Sequence, residues 1–219
     1  VASAPKNGSY FGGKNGAGVA ELLINNIPAH QKLIVPFAGH CAVTRKIRKC
    51  ETTVLMDQDK EVVDWWSQYF PGQFECHHQC GIQYLESLSV NELRETFIFV
   101  DPPYPHSTRG KTRYQFELSD FGHERLLKVL NSLSPVAKIM ICTYDNPLYE
   151  KHLSSWKKFN YESMTRAGRK KTETAYVNYD AGKFTLQDYR YLGKDKRERE
   201  KLKRREVNMI AKIKRMTNR

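Results

Sequence analysis

The sequence lacks any apolar run long enough to cross a membrane. Across its 219 residues, no stretch approaches the ~18–20 consecutive apolar residues that a membrane-spanning helix needs. The first residues also lack the charged-then-apolar pattern of a secretory leader. We therefore expect neither a membrane span nor secretion.

Cysteine is scarce and irregularly spaced, which excludes a disulfide scaffold. The chain has five cysteines, an odd number that leaves at least one unpaired: Cys41, Cys50, Cys76, Cys80 and Cys142. A reducing compartment suits such a set. We expect a cytoplasmic location, in a bacterial cell or a phage-infected host.

Acidic residues are few near the carboxyl end, and this makes the charge uneven. Residues 189–219 hold 13 Lys or Arg and 4 Asp or Glu, so their net charge is 13 − 4 = +9, whereas the whole chain has a net charge of +12. Residues 1–188 are therefore nearly balanced and large enough for one folded domain. We predict a basic helical tail over 189–219 that binds a phosphate backbone. The alternative is a solvated helix that only improves solubility.

Apolar runs alternate with helical patterns along residues 1–188. The predicted strands are 33–37, 52–56, 96–100 and 136–143, with a closing antiparallel pair at 161–166 and 174–179. The predicted helices are 41–49, 59–69, a short piece within 83–96, 120–133 and 147–159. Such alternation predicts an α/β fold with a mostly parallel sheet and helices on both faces, in which ligands bind beyond the carboxyl ends of the strands.

A candidate cofactor turn follows the first strand. Phe37, Ala38 and Gly39 end that strand, and the glycine allows close approach of a cofactor. Asp57 ends the next strand, where a carboxylate can accept hydrogen bonds from both hydroxyls of a ribose. Asp59 is the competing candidate, and we prefer Asp57 because it directly follows the strand. A plain strand–helix turn with a helix cap is the alternative.

The most specific motif is Asp101-Pro102-Pro103-Tyr104, directly after a buried strand. The prolines make the turn stiff and remove backbone donors. The Asp101 carboxylate and the Pro102 carbonyl can then accept two hydrogen bonds from one exocyclic amino group. This directs the nitrogen lone pair at an electrophile, while Tyr104 offers an aromatic face to a base. A proline-rich turn with a capping aspartate is the alternative.

The order of these motifs resembles the Dam-like DNA adenine-N6 methyltransferases. The resemblance covers about residues 10–180 and includes a segment ahead of the cofactor turn, Tyr10, Phe11, Gly12, Gly13 and Lys14. It also includes the last hairpin, with the basic residues 169–171 and the segment 173–179. The implied fold is the Rossmann-like class I methyltransferase fold, with S-adenosylmethionine as cofactor.

The resemblance also implies roles for the motif residues. Residues 10–14, 37–39, Asp57 and Asp101 would bind the cofactor, and the lysine of residue 14 would reach the active site. Residues 101–104 would be catalytic, with the target adenine flipped out of the duplex and stacked on Tyr104. The implied partner is DNA, and no metal is needed. A homodimer and a companion restriction enzyme are left open.

The sequence departs from this family in three places. Cys41 stands where a second glycine is usual. An acidic residue is common after the third strand, and neither Gln83 nor Glu86 can be assigned that role. The segment from Asp57 to Asp101 leaves little or no room for an inserted target-recognition region, so we expect either sequence reading from short loops or the tail, or loose specificity.

Two basic segments are the predicted nucleic-acid contacts. The first follows the Asp-Pro-Pro-Tyr turn and would cover the extruded base, with a solvated mobile loop as the alternative; it contains Arg109, Lys111, Arg113 and Tyr114. The second lies in the tail and contains Lys201, Lys203, Arg204 and Arg205. Val207, Ile210 and Ile213 recur every three residues, so we expect them to form an apolar seam that docks on the body.

Other interpretations remain open from sequence alone. Residues 76–80 hold two cysteines and two histidines, but their spacing is too tight for a complete zinc site, so a loop or edge strand is favoured. A related enzyme could methylate cytosine N4 or RNA adenine. A protein-directed amide methyltransferase fits the basic tail poorly, and a non-catalytic nucleic-acid-binding relative is the fourth possibility.

Overall fold

The computed structural model describes residues 14, 16, 18–108, 115–164, 170–182 and 195–217. Within them, seven strands form one sheet in the order β3-β2-β1-β4-β5-β7-β6. The strands are β1 (Lys32–Val35), β2 (Thr52–Asp57), β3 (Glu75–His78), β4 (Thr96–Val100), β5 (Lys138–Thr143), β6 (Lys157–Met164) and β7 (Lys170–Val177). Strands β1 to β5 pair in parallel, while β7 runs antiparallel to β5 and β6. The predicted α/β fold is confirmed.

Helices cover both faces of this sheet. They are α1 (Val19–Ile24), α2 (Ala42–Lys46), α3 (Lys60–Tyr69), α4 (Gly81–Ser87), α5 (Asp120–Leu133), α6 (Pro147–His152) and α7 (Lys196–Thr217). Short 3₁₀ turns occur at Val90–Leu93 and His106–Thr108. The apolar spacing of residues 120–133 predicts one buried stripe on α5, and its members Leu126, Leu127, Val129 and Leu130 are buried, whereas Phe121 is 76% exposed. The Ser119 hydroxyl caps the helix by accepting the Gly122 N–H at 3.1 Å.

Alternation along the strands divides the core into two layers. In β1, Leu33 and Val35 face the layer under α1 to α3, whereas Ile34 faces the layer under α4 to α6. Both faces of the sheet are therefore apolar, as the continuous apolar runs of the parallel strands predict. Burial on both faces fixes the carboxyl ends of β1, β2 and β4 relative to one another.

The first residue of α4 lies against the turn after β1. A Cβ on Gly81 would stand 1.9 Å from the Pro36 carbonyl oxygen, so only glycine fits. Helix α4 therefore begins at Gly81, two residues before the predicted piece within 83–96. Its first residue packs against the turn that carries residues 37–39.

Several boundaries differ from the prediction, most of all those around the closing hairpin. The helix predicted over 147–159 ends at His152, because the chain turns and enters β6 at Lys157. The closing hairpin consequently begins before residue 161. Residues 75–78 form the edge strand β3, which is the favoured interpretation of the cysteine–histidine segment.

The 22-residue helix α7 meets the body through Arg199. Arg199 is 1% exposed, and its guanidinium donates to the Glu162 carbonyl oxygen at 3.0 Å. A Cβ on Gly18 would stand 2.2 Å from Arg199 Cδ, so a glycine is needed beneath this arginine. The expectation that an apolar seam docks on the body is wrong, because Val207, Ile210 and Ile213 are 47–55% exposed. None of the described helices is long and apolar enough to cross a bilayer.

Candidate active site

Three strand ends bring the predicted site residues to one edge of the sheet. Strand β1 lies between β2 and β4. The turn of residues 36–39 after β1 therefore lies between Asp57, at the end of β2, and Asp101, directly after β4. This edge is where α/β sheets bind ligands.

The Asp57 carboxylate holds the turn after β1. Gly39 adopts a φ of +42°, which favours glycine, and its N–H donates to Asp57 Oδ2 at 2.8 Å. The Asp59 N–H donates to Asp57 Oδ1 at 2.9 Å. The indole N–H of Trp66 donates to the Gly39 carbonyl oxygen at 2.7 Å, which braces the turn from α3. Each Asp57 oxygen accepts one backbone N–H and can still accept another hydrogen bond.

The geometry separates Asp57 from its competitor Asp59. Asp59 is the N-cap of α3, and its carboxylate accepts the Glu61 N–H at 2.9 Å. It is buried at 5% exposure. Asp57 is more accessible, although burial raises its pKa above the usual range while backbone hydrogen bonds work in the opposite direction. Asp57 is thus the better placed carboxylate for a ribose.

Cys41, at the position of the usual second glycine, begins α2. Its φ of −47° lies in the ordinary range for a side-chain-bearing residue, so no glycine is required there. The Cys41 sulfur accepts the Thr44 N–H at 3.5 Å, as a helix cap. Burial raises the pKa of this thiol, which leaves it a neutral structural residue.

Five polar side chains form a buried cluster beside Asp101, which we call the acceptor cluster: Lys14, Asp101, Tyr104, Tyr161 and Glu173. The Lys14 ammonium lies 2.8 Å from Asp101 Oδ1 and 2.9 Å from Glu173 Oε2, and it donates to the Tyr104 hydroxyl. The Tyr104 and Tyr161 hydroxyls donate to Glu173 Oε2 at 2.6 and 2.9 Å. Lys14 thus contacts both carboxylates and the Tyr104 phenol, while Tyr161 joins the cluster through Glu173.

The charges of the acceptor cluster depend on one another. Burial opposes the charged form of Lys14, but Asp101 and Glu173 together raise its pKa well above the usual range. Burial also disfavours the Glu173 anion, yet Lys14 and several hydrogen bonds lower the pKa of Glu173 to about 2. Burial raises the pKa of Asp101, which Lys14 offsets only in part. The cluster therefore depends on Lys14 to keep both carboxylates ionised.

Tyr104 does not present the open aromatic face that the sequence predicted. Its ring is 5% exposed, and its hydroxyl points into the acceptor cluster. The Tyr144 ring lies above it, with ring centres 4.7 Å apart and planes at 76°. In this conformation, Tyr104 orders the acceptor cluster, and a base cannot stack on it.

Glu173 and Tyr161 are site residues that sequence reasoning did not assign. They lie directly opposite each other in the β6–β7 hairpin, and the hairpin packs beside β5. The available signal was one acidic residue in the last hairpin, Glu173, which stands between two threonines and just ahead of the apolar residues 175–177. A carboxylate in that position requires a partner, which Lys14 supplies.

Several predicted site residues lie outside the described part of the chain. These are Tyr10, Phe11, Gly12, Gly13, Arg109, Lys111, Arg113 and Tyr114. The predicted tail contacts are described and exposed on α7, namely Lys201, Lys203, Arg204 and Arg205.

The remaining candidates have structural roles. Glu86 accepts from the Arg125 guanidinium at 2.6 Å, which ties α4 to α5. Cys76 and His77 are consecutive residues of β3, so they point to opposite faces of the sheet. Over the described ranges, no group of three or more His, Cys, Asp and Glu side chains could hold a metal ion.

Comparison with known proteins identifies the fold. No protein-family model and no curated protein matches the sequence. Among solved structures, TrmN of Thermus thermophilus superposes with a TM-score of 0.50 at 11% identity, over 74% of this chain and 47% of that one. HI0767 of Haemophilus influenzae, provisionally described as a methylase, gives 0.49 at 18% identity over 74% and 89%. The magnesium protoporphyrin IX methyltransferase ChlM of Synechocystis, solved with bound S-adenosylmethionine, gives 0.42 at 10% identity over 71% and 74%.

The sheet order and the superposition on TrmN show a Rossmann-like class I methyltransferase fold. The chain corresponds to about half of TrmN, so the likeness concerns the fold alone. The predicted cofactor, S-adenosylmethionine, agrees with this fold. The resemblance to the Dam-like family stays a prediction.

Proposed function

We propose that this protein transfers a methyl group from S-adenosylmethionine to the N6 amino group of adenine in DNA. The observation that carries the proposal is the position of Asp101. Its Oδ1 atom binds Lys14 and Tyr104, whereas Oδ2 has no hydrogen-bond partner among the described residues. A carboxylate held by one oxygen, directly before two prolines, can accept a hydrogen bond from an exocyclic amino group with the other.

The chain's own groups would supply positioning. S-adenosylmethionine, when bound, supplies an electrophilic methyl group on a sulfonium. The adenine N6 lone pair would form the new C–N bond while the C–S bond breaks, and the methylated nitrogen would then lose a proton to solvent. Asp101 would hold the amino group so that its lone pair points at the methyl carbon. Its negative charge would also stabilise the positive charge that develops on N6.

The residues present fit the cofactor. The Asp57 carboxylate keeps acceptor capacity at the carboxyl end of β2, and the Gly39 turn brings backbone close to the same place. Both features suit the ribose end of S-adenosylmethionine. The acceptor cluster lies after β4, which is next to β1 and two strands from β2, and there the methyl group would meet the target base.

The proposal is tested by following the methyl group. Purified protein and S-adenosylmethionine labelled in the methyl group are incubated with DNA and, separately, with RNA. Nucleosides from the digested product are then identified by mass spectrometry. N6-methyladenine from DNA supports the proposal, whereas N4-methylcytosine or methylated RNA would replace it with a neighbouring activity. Cofactor binding without transfer to either nucleic acid indicates a binding relative.

We expect Asp57→Ala to weaken S-adenosylmethionine binding by roughly 1.5–3 kcal/mol, because a charge-assisted hydrogen bond to the ribose is lost. Isothermal titration calorimetry measures this affinity. Asp59→Ala is the matched control: it removes the α3 cap and should cost about 1 kcal/mol of stability without changing cofactor affinity. If Asp59→Ala weakens binding more than Asp57→Ala, the ribose role belongs to Asp59.

DNA as substrate is supported by the charge on α7. The exposed cations Lys201, Lys203, Arg204 and Arg205 form a compact group in that helix. Arg199 is buried against the body and fixes the start of the helix. A helix so anchored can hold its cations against phosphates, which adds affinity without reading bases.

We expect changing Lys201, Lys203, Arg204 and Arg205 together to glutamine to weaken DNA binding and flatten its salt dependence. If all four contact phosphates, the slope of log affinity against log salt should fall by about 3–4. Arg199 stays intact, so the helix keeps its anchor. Fluorescence anisotropy at several salt concentrations measures the slope, and methylation mapping checks that the modified sequence is unchanged. An unaltered slope would exclude these cations from the DNA interface.

A further inference from the structure

Tyr144 covers the acceptor cluster from outside. It directly follows β5, and its ring is half-buried. Its edge-to-face contact with Tyr104, at 4.7 Å between ring centres, closes the way to the Tyr104 ring. A base that enters this site therefore meets Tyr144 first.

Lys171 joins Tyr144 to the turn that follows the Asp-Pro-Pro-Tyr motif. Its ammonium lies 3.4 Å from the centre of the Tyr144 ring and donates to the Thr108 carbonyl oxygen at 2.9 Å. Both direct partners are neutral. Burial lowers the pKa of Lys171, although the Glu173 carboxylate acts in the opposite direction. A phosphate beside the ammonium would further stabilise the charged form of this side chain.

The ammonium lies where a base stacked on Tyr144 would lie. Its distance from the centre of the Tyr144 ring, 3.4 Å, matches the about 3.4 Å spacing of stacked bases along a DNA strand. Giving up such a cation–π contact costs about 2- to 30-fold in an equilibrium constant, from an exposed to a desolvated site. The flexible lysine stem can then carry the ammonium to a nearby phosphate.

We propose that Tyr144 and Lys171 bind the target nucleotide: the base replaces the ammonium on the Tyr144 ring, and the ammonium moves to the phosphate of that nucleotide. This inference rests on the proposed function, because it requires a nucleic-acid substrate. It assigns base stacking to Tyr144, while Tyr104 orders the carboxylates beneath.

Binding to two DNA duplexes distinguishes the base stack on Tyr144 from the phosphate contact of Lys171. One contains the site that the wild-type protein methylates, and the other has an abasic position in place of the target adenine. Tyr144→Ala should weaken binding of the first duplex by about 5- to 150-fold, the range for one base–aromatic stack, and leave binding of the abasic duplex within about 2-fold. Lys171→Gln should weaken binding of both duplexes and lower the salt slope by about 1.

Matched controls distinguish these effects from misfolding. Lys170 is the adjacent residue of β7 and pairs with Glu162 at 3.0 Å, so Lys170→Gln should leave both affinities and the salt slope unchanged. Tyr144→Phe keeps the ring and should retain binding of the adenine duplex. Tyr144→Leu keeps apolar volume without the ring and should reproduce the alanine result, and unchanged S-adenosylmethionine affinity verifies folding of each variant.

The outcomes are distinct from those that test methyl transfer itself. Equal loss on both duplexes in Tyr144→Ala, or no loss, overturns the stacking role. A wild-type salt slope in Lys171→Gln overturns the phosphate contact. A wild-type protein that methylates no DNA instead contradicts the proposed function, before any variant is compared.

Discussion

Asp101→Ala should abolish methyl transfer while leaving S-adenosylmethionine binding nearly intact. The change removes the acceptor that orients the target amino group, and the loss of one such preorganised group costs about 100- to 1000-fold in rate. The rest of the acceptor cluster survives, because Lys14 keeps Glu173 as its partner at 2.9 Å. Single-turnover transfer of a labelled methyl group measures the rate, and calorimetry measures cofactor affinity.

Two further variants define what Asp101 contributes. Asp101→Asn keeps a carbonyl oxygen that can accept a hydrogen bond, so it should retain more activity than alanine. Asp64→Ala changes an exposed carboxylate that pairs with Lys60 on α3, and it should react at the wild-type rate. A wild-type rate in Asp101→Ala would exclude this residue from the reaction.

The parallel part of the fold could be predicted because its signals are local. Short apolar patterns in the sequence directly indicate four strands, β1, β2, β4 and β5, and the helix α5. Strand β3 has the sequence Glu-Cys-His-His and is largely exposed at the sheet edge, so no apolar pattern predicts it. Strand β6 is similarly polar, so the sequence pattern extends the preceding helix over its start.

The candidate site was predictable where chemistry follows a strand end. Gly39, Asp57 and Asp101 each lie at such an end, and the sheet order then places them side by side. Glu173 and Tyr161 meet only through the register of the last hairpin. Tyr144 meets Tyr104 only because β5 pairs beside β4. Contacts of this kind depend on strand pairing that no short motif encodes.

The tail shows the limit of periodicity. Spacing identified the apolar residues of α7 and their helical face, and the helix itself extends from Lys196 to Thr217. Whether that face packs on the body depends on tertiary contacts that periodicity does not predict. In the structure the face is exposed, and Arg199 makes the contact with the body instead. A buried arginine beside Gly18 has no signature in the hydrophobic pattern.

Lys14→Met should cause the largest loss of stability among single substitutions in the site. The variant leaves Asp101 and Glu173 buried without their cation, and breaking a buried ion pair in this way costs about 3–5 kcal/mol. Methyl transfer should fall with it, because Asp101 loses the partner that fixes one of its oxygens. Lys60→Met removes an exposed lysine paired with Asp64 and should cost less than about 1 kcal/mol.

The pH dependence of this loss identifies its cause. In the wild-type protein, Lys14 helps to lower the pKa of Glu173 to about 2, so the stabilisation from this carboxylate is present above its unfolded value and is lost as the pH falls toward about 2. Without Lys14, the folded state should bind protons on both carboxylates more readily. The stability difference between wild type and variant should therefore be largest near about pH 7 and shrink by about pH 4.

Urea unfolding at both pH values measures that difference, and Lys14→Met combined with Glu173→Gln tests it independently. The double variant removes one of the two unpaired charges, so it should be more stable than Lys14→Met alone at about pH 7. A loss that is the same at both pH values, with no recovery in the double variant, would mean that Lys14 stabilises the site by packing. In that case, the charge balance of the acceptor cluster would not be what holds Asp101 in place.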